Sequence, residues 1–416
     1  MPADPLVVAA VADAHRREWG FVLAASVRVT RDLDMAEECV QDAYAQALST
    51  WRPDEIPAKP GAWLTTVARR RALNLLRRDA ALHGKLPQLF DDSSQPHSEP
   101  GCGSADGIPD DRLRLIFTCC HPSLSVEAQI ALTLRLLCGL STPEVARAFL
   151  VSETTMAARI TRAKKKISQA RIPYRVPPVS ELPARIHAVL DVVHLLFSTG
   201  HTAPVGADLV RRDLLERALD LARMLRALLP RDPHVAGLLA LILLTDARRE
   251  ARIAADGTMR LLAEQDRTAW DRDAIAEGVA LVREALRTRP PGRYPLMAAI
   301  AAVHDDAPHF TDTDWTEILG LYDLLVQLWP SPVVALNRAV AVGHARGPDA
   351  GLAALDTLAA EPQLAMYGYL AASRAEFLRR LDRPHDARVA YHEALLLTEN
   401  SIGRDFLTTQ LDQLDS

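Results

Sequence analysis

Apolar residues recur at helical spacing along almost the whole chain, and prolines or short polar runs interrupt them. An amphipathic pattern covers residues 5–50 with a break near residues 30–32, and a second helix is predicted over residues 62–78, after a stretch with three prolines. Aromatic residues make up only 5% of the chain, whereas Ala, Leu and Arg recur throughout. This composition favours helices over a β-sandwich or barrel. The sequence therefore predicts an all-α protein.

Two stretches that disfavour helices divide the chain. Residues 86–111 carry Pro, Ser, Gly and Asp with few apolar residues, which is typical of a flexible linker. Residues 173–183 contain four prolines and mark a second boundary. Within residues 112–173 shorter interruptions are predicted at residues 121–122, 141–143 and 151–152. The boundaries predict three folded parts, which are residues 1–85, 112–173 and 180–416.

Net charge is distributed unevenly among these parts. Residues 112–179 hold 11 Lys and Arg against 3 Asp and Glu, a net charge of +8, although the whole chain carries −5. Residues 180–416 carry −8. A basic block inside an acidic protein predicts a local contact with a polyanion rather than general coating of nucleic acid.

The basic block contains a candidate helix-turn-helix over residues 140–167. Ser152 can cap the second helix, whose inward positions are Met156, Ile160, Ala163 and Ile167. Small and hydroxyl side chains at its start allow close entry into a major groove, and later basic side chains can reach bases or phosphates. The candidate duplex-reading residues are Ser152, Thr154, Thr155, Ala158, Arg159, Arg162, Lys165 and Lys166. A solvated basic helix is the alternative.

A second cationic helix precedes the linker. Residues 61–78 contain five arginines and no acidic residue, while Leu64, Val67, Ala68 and Leu75 are predicted to face inward. A cationic helix beside an interrupted loop flanked by tryptophan suits unstacked single-stranded bases, because arginines follow the phosphates and a pocket holds a flipped base. The candidate residues are Trp63, Arg70, Arg71, Asn74, Arg77 and Arg78.

An acidic helix lies upstream, and the three features together resemble a known family. The acidic exposed face of residues 32–42 should repel DNA and meet a basic protein instead. The order of an acidic helix, a W-L-x-x-x-A-R helix ending in Arg-Arg, a polar linker and a helix-turn-helix resembles that of bacterial sigma-70 factors of the extracytoplasmic-function type. The resemblance covers about residues 5–172. It implies a region 2 helical bundle and a region 4 helix-turn-helix.

The resemblance also implies partners and roles. Region 2 would dock on the β′ coiled coil of core RNA polymerase through Asp34, Glu37, Glu38, Gln41 and Asp42. Residues 51–62 and the arginine helix would recognise and melt the −10 promoter element, and the second helix of region 4 would read the −35 element while an apolar surface grips the β flap. Two positions depart from the family pattern: Arg70 stands where Asn is frequent, which puts the promoter preference in doubt, and Leu150 stands where Gly is frequent in the turn.

The C-terminal part is predicted to be a tetratricopeptide-like helical domain. Ala387, Tyr391, Ala394 and Leu395 follow Ala375 at the spacing of small and aromatic residues in such helix pairs. Fainter echoes occur at Ala218, Ala222, Leu225 and Pro230, and at Ala350 and Ala354. An irregular helical domain is the alternative. By resemblance to sigma factors with such extensions, the domain is expected to regulate the sigma core, and a regulatory protein that docks on it is a candidate partner.

Two other interpretations were weighed. A helix-turn-helix activator with a tetratricopeptide-like sensor would bind duplex DNA upstream of promoters, but it has no use for both the acidic helix and the arginine helix within residues 32–78. An interaction scaffold would have no use for the basic recognition helix. The sequence therefore favours a sigma factor, which binds core RNA polymerase and promoter DNA and opens promoters without bond chemistry.

The sequence gives little support for a metal site, a cofactor site or an enzyme active site. Cys119, Cys120, His121 and Cys138 lack the C-x-x-C spacing of zinc sites. His187, His194 and His201 recur every seven residues, which separates neighbours by roughly 10 Å along a helix. The motifs G-x-S-x-G, G-x-x-x-x-G-K and H-E-x-x-H do not occur. We expect no metal, no cofactor and no catalysis. The acidic group formed by Asp246, Asp256, Asp266, Asp271 and Asp273 is interpreted as a solvated surface.

Cysteine usage and hydropathy give a prediction of location. The five cysteines are unevenly spaced, and the sequence has neither a basic start followed by an apolar signal region nor a long uncharged apolar stretch. We expect a cytoplasmic protein that makes no contact with membranes.

Overall fold

The computed structural model describes residues 4–82, 111–149, 151–178, 180–203, 205–254 and 256–414. Residues 86–110 of the predicted linker and Leu150 lie outside the described residues. The chain divides into two compact units, Met1–Val192 and Val193–Ser416, and the division falls within one helix. Apart from turns and one pair of two-residue strands, the secondary structure of the described residues is helical, which confirms the all-α prediction.

The described residues of the first unit form seven α-helices and the beginning of an eighth. They are α1 (Pro5–Thr30), α2 (Leu33–Thr50), α3 (Pro60–Leu82), α4 (Asp111–Cys119), α5 (Val126–Leu136), α6 (Thr142–Ala148), α7 (Glu153–Gln169) and α8 (Leu182–His201). Helices α1, α2 and α3 pack on one another, and α4 and α5 also contact α1. The predicted region 2 and region 4 helices therefore lie in one compact unit.

In the described part of the second unit, the end of α8 is followed by ten further α-helices, four short 3-10 helices and two short strands. In chain order, the strands and α-helices are β1 (Val205–Gly206), α9 (Arg212–Leu228), α10 (Pro233–Asp246), α11 (Arg272–Ala285), α12 (Arg293–Asp306), α13 (Trp315–Leu328), α14 (Pro332–Arg346), α15 (Pro348–Asp356), α16 (Gly368–Arg380), α17 (Pro384–Leu397), β2 (Glu399–Asn400) and α18 (Ser401–Asp412). Helix α10 is buried on all sides, as its uniformly apolar sequence requires, and α9, α11 and α12 pack around it.

The break between α1 and α2 follows from the residues at their ends. Arg31 adopts the left-handed conformation at the C-cap of α1, with φ 56°. Asp32 is the N-cap of α2, and its carboxylate accepts a 2.7 Å hydrogen bond from the Met35 amide. These two caps confirm the predicted break at residues 30–32.

The predicted interruption at residues 141–143 is confirmed in part: Ser141 lies in the break between α5 and α6, but α6 already begins at Thr142. The Glu144 carboxylate accepts a 2.7 Å hydrogen bond from the Ser141 amide, and the Glu144 amide donates in return to the Ser141 hydroxyl at 3.4 Å. This is a capping box, in which Pro143 occupies the first turn, where its missing N–H costs nothing. The break also includes the preceding turn, where Gly139 has φ 69°.

Small residues bring α16 and α17 together. Ala375 on α16 and Ala387 and Ala394 on α17 have no exposed surface, and Tyr391 is 2% exposed. The absence of larger side chains lets the two helix backbones approach closely, as the predicted spacing requires. These four residues belong to one apolar core that also includes Phe377 and Leu407.

A parallel strand pair joins the beginning and the end of the second unit. Val205 of β1 pairs with Glu399 of β2, and Gly206 pairs with Asn400. The buried Asn400 side-chain amide donates hydrogen bonds to the carbonyls of Ala203 at 3.2 Å and of Asp208 at 3.0 Å. The segment after α8 is thereby fixed to the segment before α18.

Three members of the predicted acidic surface shape turns. Asp271 is the N-cap of α11 and accepts hydrogen bonds from the amides of Asp273 and Ala274. Asp266 and Asp256 each accept a hydrogen bond from the amide two residues later, at 2.9 Å and 3.0 Å. Short acidic side chains are favoured at such positions because they satisfy amides that have no helical partner.

Buried histidines are expected to make the second unit sensitive to acid. Burial, and secondarily nearby arginines, lower the pKa of His194 to about 4 and of His304 to about 3. Burial also lowers the pKa of His344 to about 4. The unfolded chain takes up these protons near pH 6.5, whereas the folded chain does not. The free energy of unfolding therefore falls as the pH drops from about 6.5 toward 4, by about 2 kcal/mol at pH 5 for each of His194 and His304. The contribution of His344 is smaller, because its more exposed ring is screened by solvent.

Carboxyl groups oppose part of this loss. Burial raises the pKa of Asp305 to about 6 and also raises the pKa of Asp246, so the folded chain gains stability from these groups as the pH falls. Because the histidines, which include His201 with a similarly lowered pKa, outweigh these two carboxyl groups, we expect the melting temperature to drop by roughly 10 °C between pH 7.5 and pH 5. The His344→Phe variant keeps a ring against Trp315, whose ring centroid lies 4.0 Å from that of His344, and should show a shallower pH profile. Equal melting temperatures at the two pH values would contradict this account.

Candidate nucleic-acid interface

Helix α3 presents a cationic face on an apolar base. Leu64 and Ala68 are fully buried, which orients the opposite side of the helix outward. All the arginines and the asparagine predicted for this face are exposed, namely Arg70, Arg71, Asn74, Arg77 and Arg78. Arg69, which was not among the predicted residues, is exposed as well. Helix α3 begins at Pro60 and ends at Leu82, so it extends beyond the predicted residues 62–78 at both ends.

Two tryptophans support the loop that leads into α3. The rings of Trp51 and Trp63 meet edge to face, with centroids 5.4 Å apart. Trp51 is 7% exposed and Trp63 is half-buried, while residues 52–55 between them are exposed. An exposed loop on an aromatic base next to a row of arginines has the chemistry to hold unstacked bases and their phosphates.

Helix α7, the predicted recognition helix, is amphipathic, with its apolar stripe buried and most of its basic residues outward, as the sequence predicts. Met156, Ile160, Ala163 and Ile167 are buried. The Ser152 hydroxyl caps the helix by accepting a 3.2 Å hydrogen bond from the Thr155 amide. The candidate duplex-reading residues that are exposed are Ser152, Thr154, Thr155, Ala158, Arg162, Lys165 and Lys166. The remaining candidate, Arg159, is partly exposed, and its guanidinium lies 5.5 Å from the centre of the Phe149 ring.

The predicted polymerase-binding residues do not share one environment. Asp34, Glu38 and Gln41 are exposed on α2, and Asp42 is half-exposed. Asp42 forms an ion pair with Arg71 of α3, whose Nε atom lies 2.8 Å from an Asp42 carboxylate oxygen. The acidic helix and the arginine helix are therefore in direct contact. Glu37 is buried, with 7% of its side chain exposed. In this structure Glu37 faces the protein interior rather than a partner.

Lys164 of α7 covers Glu37. Its ammonium group pairs with the Glu37 carboxylate and lies 2.8 Å from an Asp34 oxygen. Arg135 of α5 pairs with the other Glu37 oxygen at 3.0 Å. Burial by itself lowers the pKa of Lys164, but the two carboxylates outweigh burial and raise it. Lys164 therefore stays charged, and the recognition helix is tied to the acidic helix by a partly buried ion-pair cluster.

Sequence reasoning missed this role of Lys164. Lys164 lies four residues after the buried Ile160 and next to the buried Ala163. That spacing places it at the border of the apolar stripe rather than on the exposed face. The border position was the available signal, although it does not identify the carboxylates as partners.

Backbone packing and one tyrosine reinforce the same contact. A Cβ atom at Gly20 of α1 would collide with the Leu137 carbonyl, so the two backbones touch. Gly139, with φ 69°, lies against the Trp19 ring. The hydroxyl of the partly buried Tyr174 is shared between two carbonyls, lying 2.7 Å from that of Ala24 and 3.0 Å from that of Asp111. We call this packing of α4–α7 on α1 and α2 the closed arrangement.

Both cationic helices contact the acidic helix α2. Lys164 of α7 pairs with Asp34 and Glu37 of α2, and α2 contacts α3 through Asp42 and Arg71. The closed arrangement therefore holds α3 and α7 on the same helix.

Other candidate sites are accounted for by packing. Cys39, Cys119, Cys120 and Cys138 are buried free thiols. Within the residues that the structure describes, no group of three or more His, Cys, Asp or Glu side chains is arranged to hold a metal ion. No helix in the same part of the chain combines the length and apolar character needed to cross a membrane. His194 and His201 are partly buried in helix contacts, whereas His187 is exposed.

Comparisons with known proteins agree with this geometry. Residues 15–81 match the family model for sigma-70 region 2, and residues 114–167 match the model for sigma-70 region 4. Residues 185–286 match a family of unknown function (DUF6596). An uncharacterized protein of Rhizobium meliloti (strain 1021) is 41% identical over 395 residues, which cover 94% of this chain and 93% of that protein. The similarity to this relative therefore extends across both units.

Proposed function

The chain belongs to the sigma-70 family of sigma factors and carries a C-terminal extension, and from this membership we propose a role for each of its parts. Sigma factors bind core RNA polymerase and promoter DNA to initiate transcription. We propose that this chain is of the extracytoplasmic-function type. In it, α2 docks on the β′ coiled coil, α3 with the preceding loop opens the −10 element, and α7 reads the −35 element.

One observation carries this proposal. Two helices in one chain each bury an apolar stripe and expose a basic face, and one of them follows an exposed loop supported by two tryptophans. An activator that reads only duplex DNA requires a single such helix. A factor that also holds an opened strand requires both.

The direct test is assembly and initiation with the purified full chain. Core RNA polymerase and a promoter library are mixed with it, and run-off transcripts are sequenced. A sigma factor gives transcripts from a defined promoter class, and promoter binding weakens steeply with salt because phosphate contacts release counterions. Binding to DNA upstream of promoters without stable binding to core polymerase would indicate an activator instead.

We propose that the second unit regulates the first and remains in the same cytoplasmic complex. The opposite net charges, −8 for residues 180–416 and +8 for residues 112–179, support this role. The helices of the second unit, which we interpret as tetratricopeptide-like, would also offer a docking surface for a regulatory protein.

Removing the second unit is expected to change transcription at least threefold. A cut near Pro178 is unsuitable, because Leu182 and Ile186 of α8 are buried and Arg185 donates to the Phe117 carbonyl in the first unit. A chain that ends at Thr202 keeps α8 whole. Its circular dichroism melt serves as the folding control. Unchanged transcript yield together with unchanged affinity for core polymerase would argue against regulation.

A further inference from the structure

The second unit contains a cavity of about 180 Å³ lined mainly by polar side chains. Its lining residues are His201, Thr245, Arg248, Arg252, Leu262 and Gln265. They come from the ends of α8 and α10 and from the segment that follows α10. That segment folds back on itself, because the Arg260 amide donates to the Arg252 carbonyl at 2.8 Å and the Ala254 amide donates to the Thr258 carbonyl at 2.8 Å. The wall of the cavity is thus held by backbone hydrogen bonds.

The cavity is positively charged. Arg252 donates to neutral acceptors, the His201 carbonyl and the Thr202 hydroxyl. Among the described residues Arg252 has no carboxylate within ion-pair distance. Arg248 is largely buried and lies 3.4 Å from the Asp305 carboxylate, which is fully buried and is not part of the lining. Two guanidinium groups therefore line a small space. Asp305 pairs with Arg248, and Asp246 attracts Arg252 only weakly, so the arrangement is suited to an anion.

Two polar atoms in the lining are buried without a partner among the described residues. They are Nδ1 of His201 and Oε1 of Gln265. Gln265 Oε1 is an acceptor and needs a hydrogen-bond donor. Burial and the neighbouring arginines lower the pKa of His201 well below its usual value, so its ring is neutral and has one donor and one acceptor nitrogen. Buried polar atoms of this kind are rare in folded proteins unless a ligand or water satisfies them.

We propose that this cavity binds a phosphate-type oxyanion whose protonated oxygen donates to Gln265 while its other oxygens accept from Arg248 and Arg252. At neutral pH inorganic phosphate carries both the negative charge that the arginines require and a hydroxyl group that Gln265 requires. A phosphomonoester has a second pKa of about 6, so its phosphate group is mostly dianionic at this pH and has no hydroxyl to donate. The volume corresponds to about six water molecules in the liquid, which is enough space for inorganic phosphate.

The test measures binding to the full chain by calorimetry and by thermal shift, without polymerase. Its outcome is therefore independent of the proposed function. The probes are inorganic phosphate, glycerol 3-phosphate and sulfate at constant ionic strength adjusted with sodium chloride. We expect saturable phosphate binding, with sulfate at least tenfold weaker because it has no hydroxyl group at this pH. Glycerol 3-phosphate should also bind more weakly than inorganic phosphate, because its phosphate group is mostly without a hydroxyl at neutral pH. Tighter binding of glycerol 3-phosphate would contradict the role given to Gln265.

Variants connect binding to the cavity. Gln265→Glu places a negative charge at the lining and should weaken phosphate binding at least tenfold. Arg252→Gln removes the charge of one of the two arginines and should also weaken phosphate binding. Because Gln265 is only partly buried, Gln265→Glu should fold even if Arg252→Gln does not. The matched control is Arg223→Gln, which removes an exposed arginine that pairs with Glu277 on the neighbouring helix. Absence of saturable phosphate binding, equal binding of sulfate, or unchanged binding in Gln265→Glu would overturn the proposal.

Discussion

Reversing the charge at Arg159 and Arg162 together is expected to reduce promoter-directed transcription at least 100-fold. Both side chains lie on the outward side of α7, whose opposite side is buried. A base or phosphate contact from arginine contributes about 1–3 kcal/mol, and every 1.4 kcal/mol corresponds to about tenfold in affinity. Two glutamates remove two such contacts and add repulsion from the phosphates. Run-off transcription with core polymerase at fixed salt measures the effect.

The design needs a control for net charge and for folding. Arg16→Glu changes the charge of an exposed α1 arginine that pairs only locally, with Asp13 three residues before it, and should leave transcription within twofold of the unaltered chain. The double variant should retain its affinity for core polymerase, because α2 is untouched. If transcription by the double variant equals that of the Arg16→Glu control, α7 is not the helix that reads the −35 element.

Replacing Lys164 by glutamate is expected to open the closed arrangement. The change leaves three carboxylates, from Asp34, Glu37 and the new side chain, around a site that is largely buried. Removing one partner of a buried ion pair typically costs about 3–5 kcal/mol. Small-angle X-ray scattering should show a larger radius of gyration. Affinity for core polymerase should rise at least fivefold, because the buried Glu37 becomes accessible to the partner and Asp34 is released from Lys164.

Two neighbouring changes separate opening from general damage to α7. Lys165→Glu makes the same charge change one residue along, on the exposed side of the helix, and should leave the radius of gyration unchanged. Lys164→Met keeps the length of the side chain but removes its charge, and should give an intermediate opening. An unchanged radius of gyration and unchanged core affinity in Lys164→Glu would show that the ion pairs do not hold the two regions together.

Local signals in the sequence predicted the helices and their faces well. The 3.6-residue period of Met156, Ile160, Ala163 and Ile167 correctly separated the inside of α7 from its outside, because that period depends only on helix geometry. The N-cap at Ser152 and the break at residues 30–32 were also predicted from local chemistry. The start of α6 was predicted two residues late, because Thr142 and Pro143 were placed in the interruption, although Ser141 and Glu144 carry the capping-box pattern.

Contacts between distant parts of the chain could not be predicted in this way. Lys164 and Asp34 are 130 residues apart in sequence, and no local pattern specifies that they meet. The same holds for Arg248 and Asp305 in the second unit, which are brought together only by the packing of α10 and α12. Glu37 was placed among the polymerase-binding residues because its helix is acidic, whereas its burial depends on α5 and α7. Its role in polymerase binding stays a prediction.

The strand pair between Val205–Gly206 and Glu399–Asn400 sets a limit on how this domain can evolve. Open arrays of helix pairs lengthen or shorten by gaining or losing one pair, since each pair contacts only its neighbours. Here the first and last segments of the domain are hydrogen-bonded to each other. Duplication or deletion of one helix pair would move β2 away from β1 and leave Asn400 without its two carbonyl partners. Related chains with the same extension should therefore keep a fixed number of helices between these strands and vary in loop length instead.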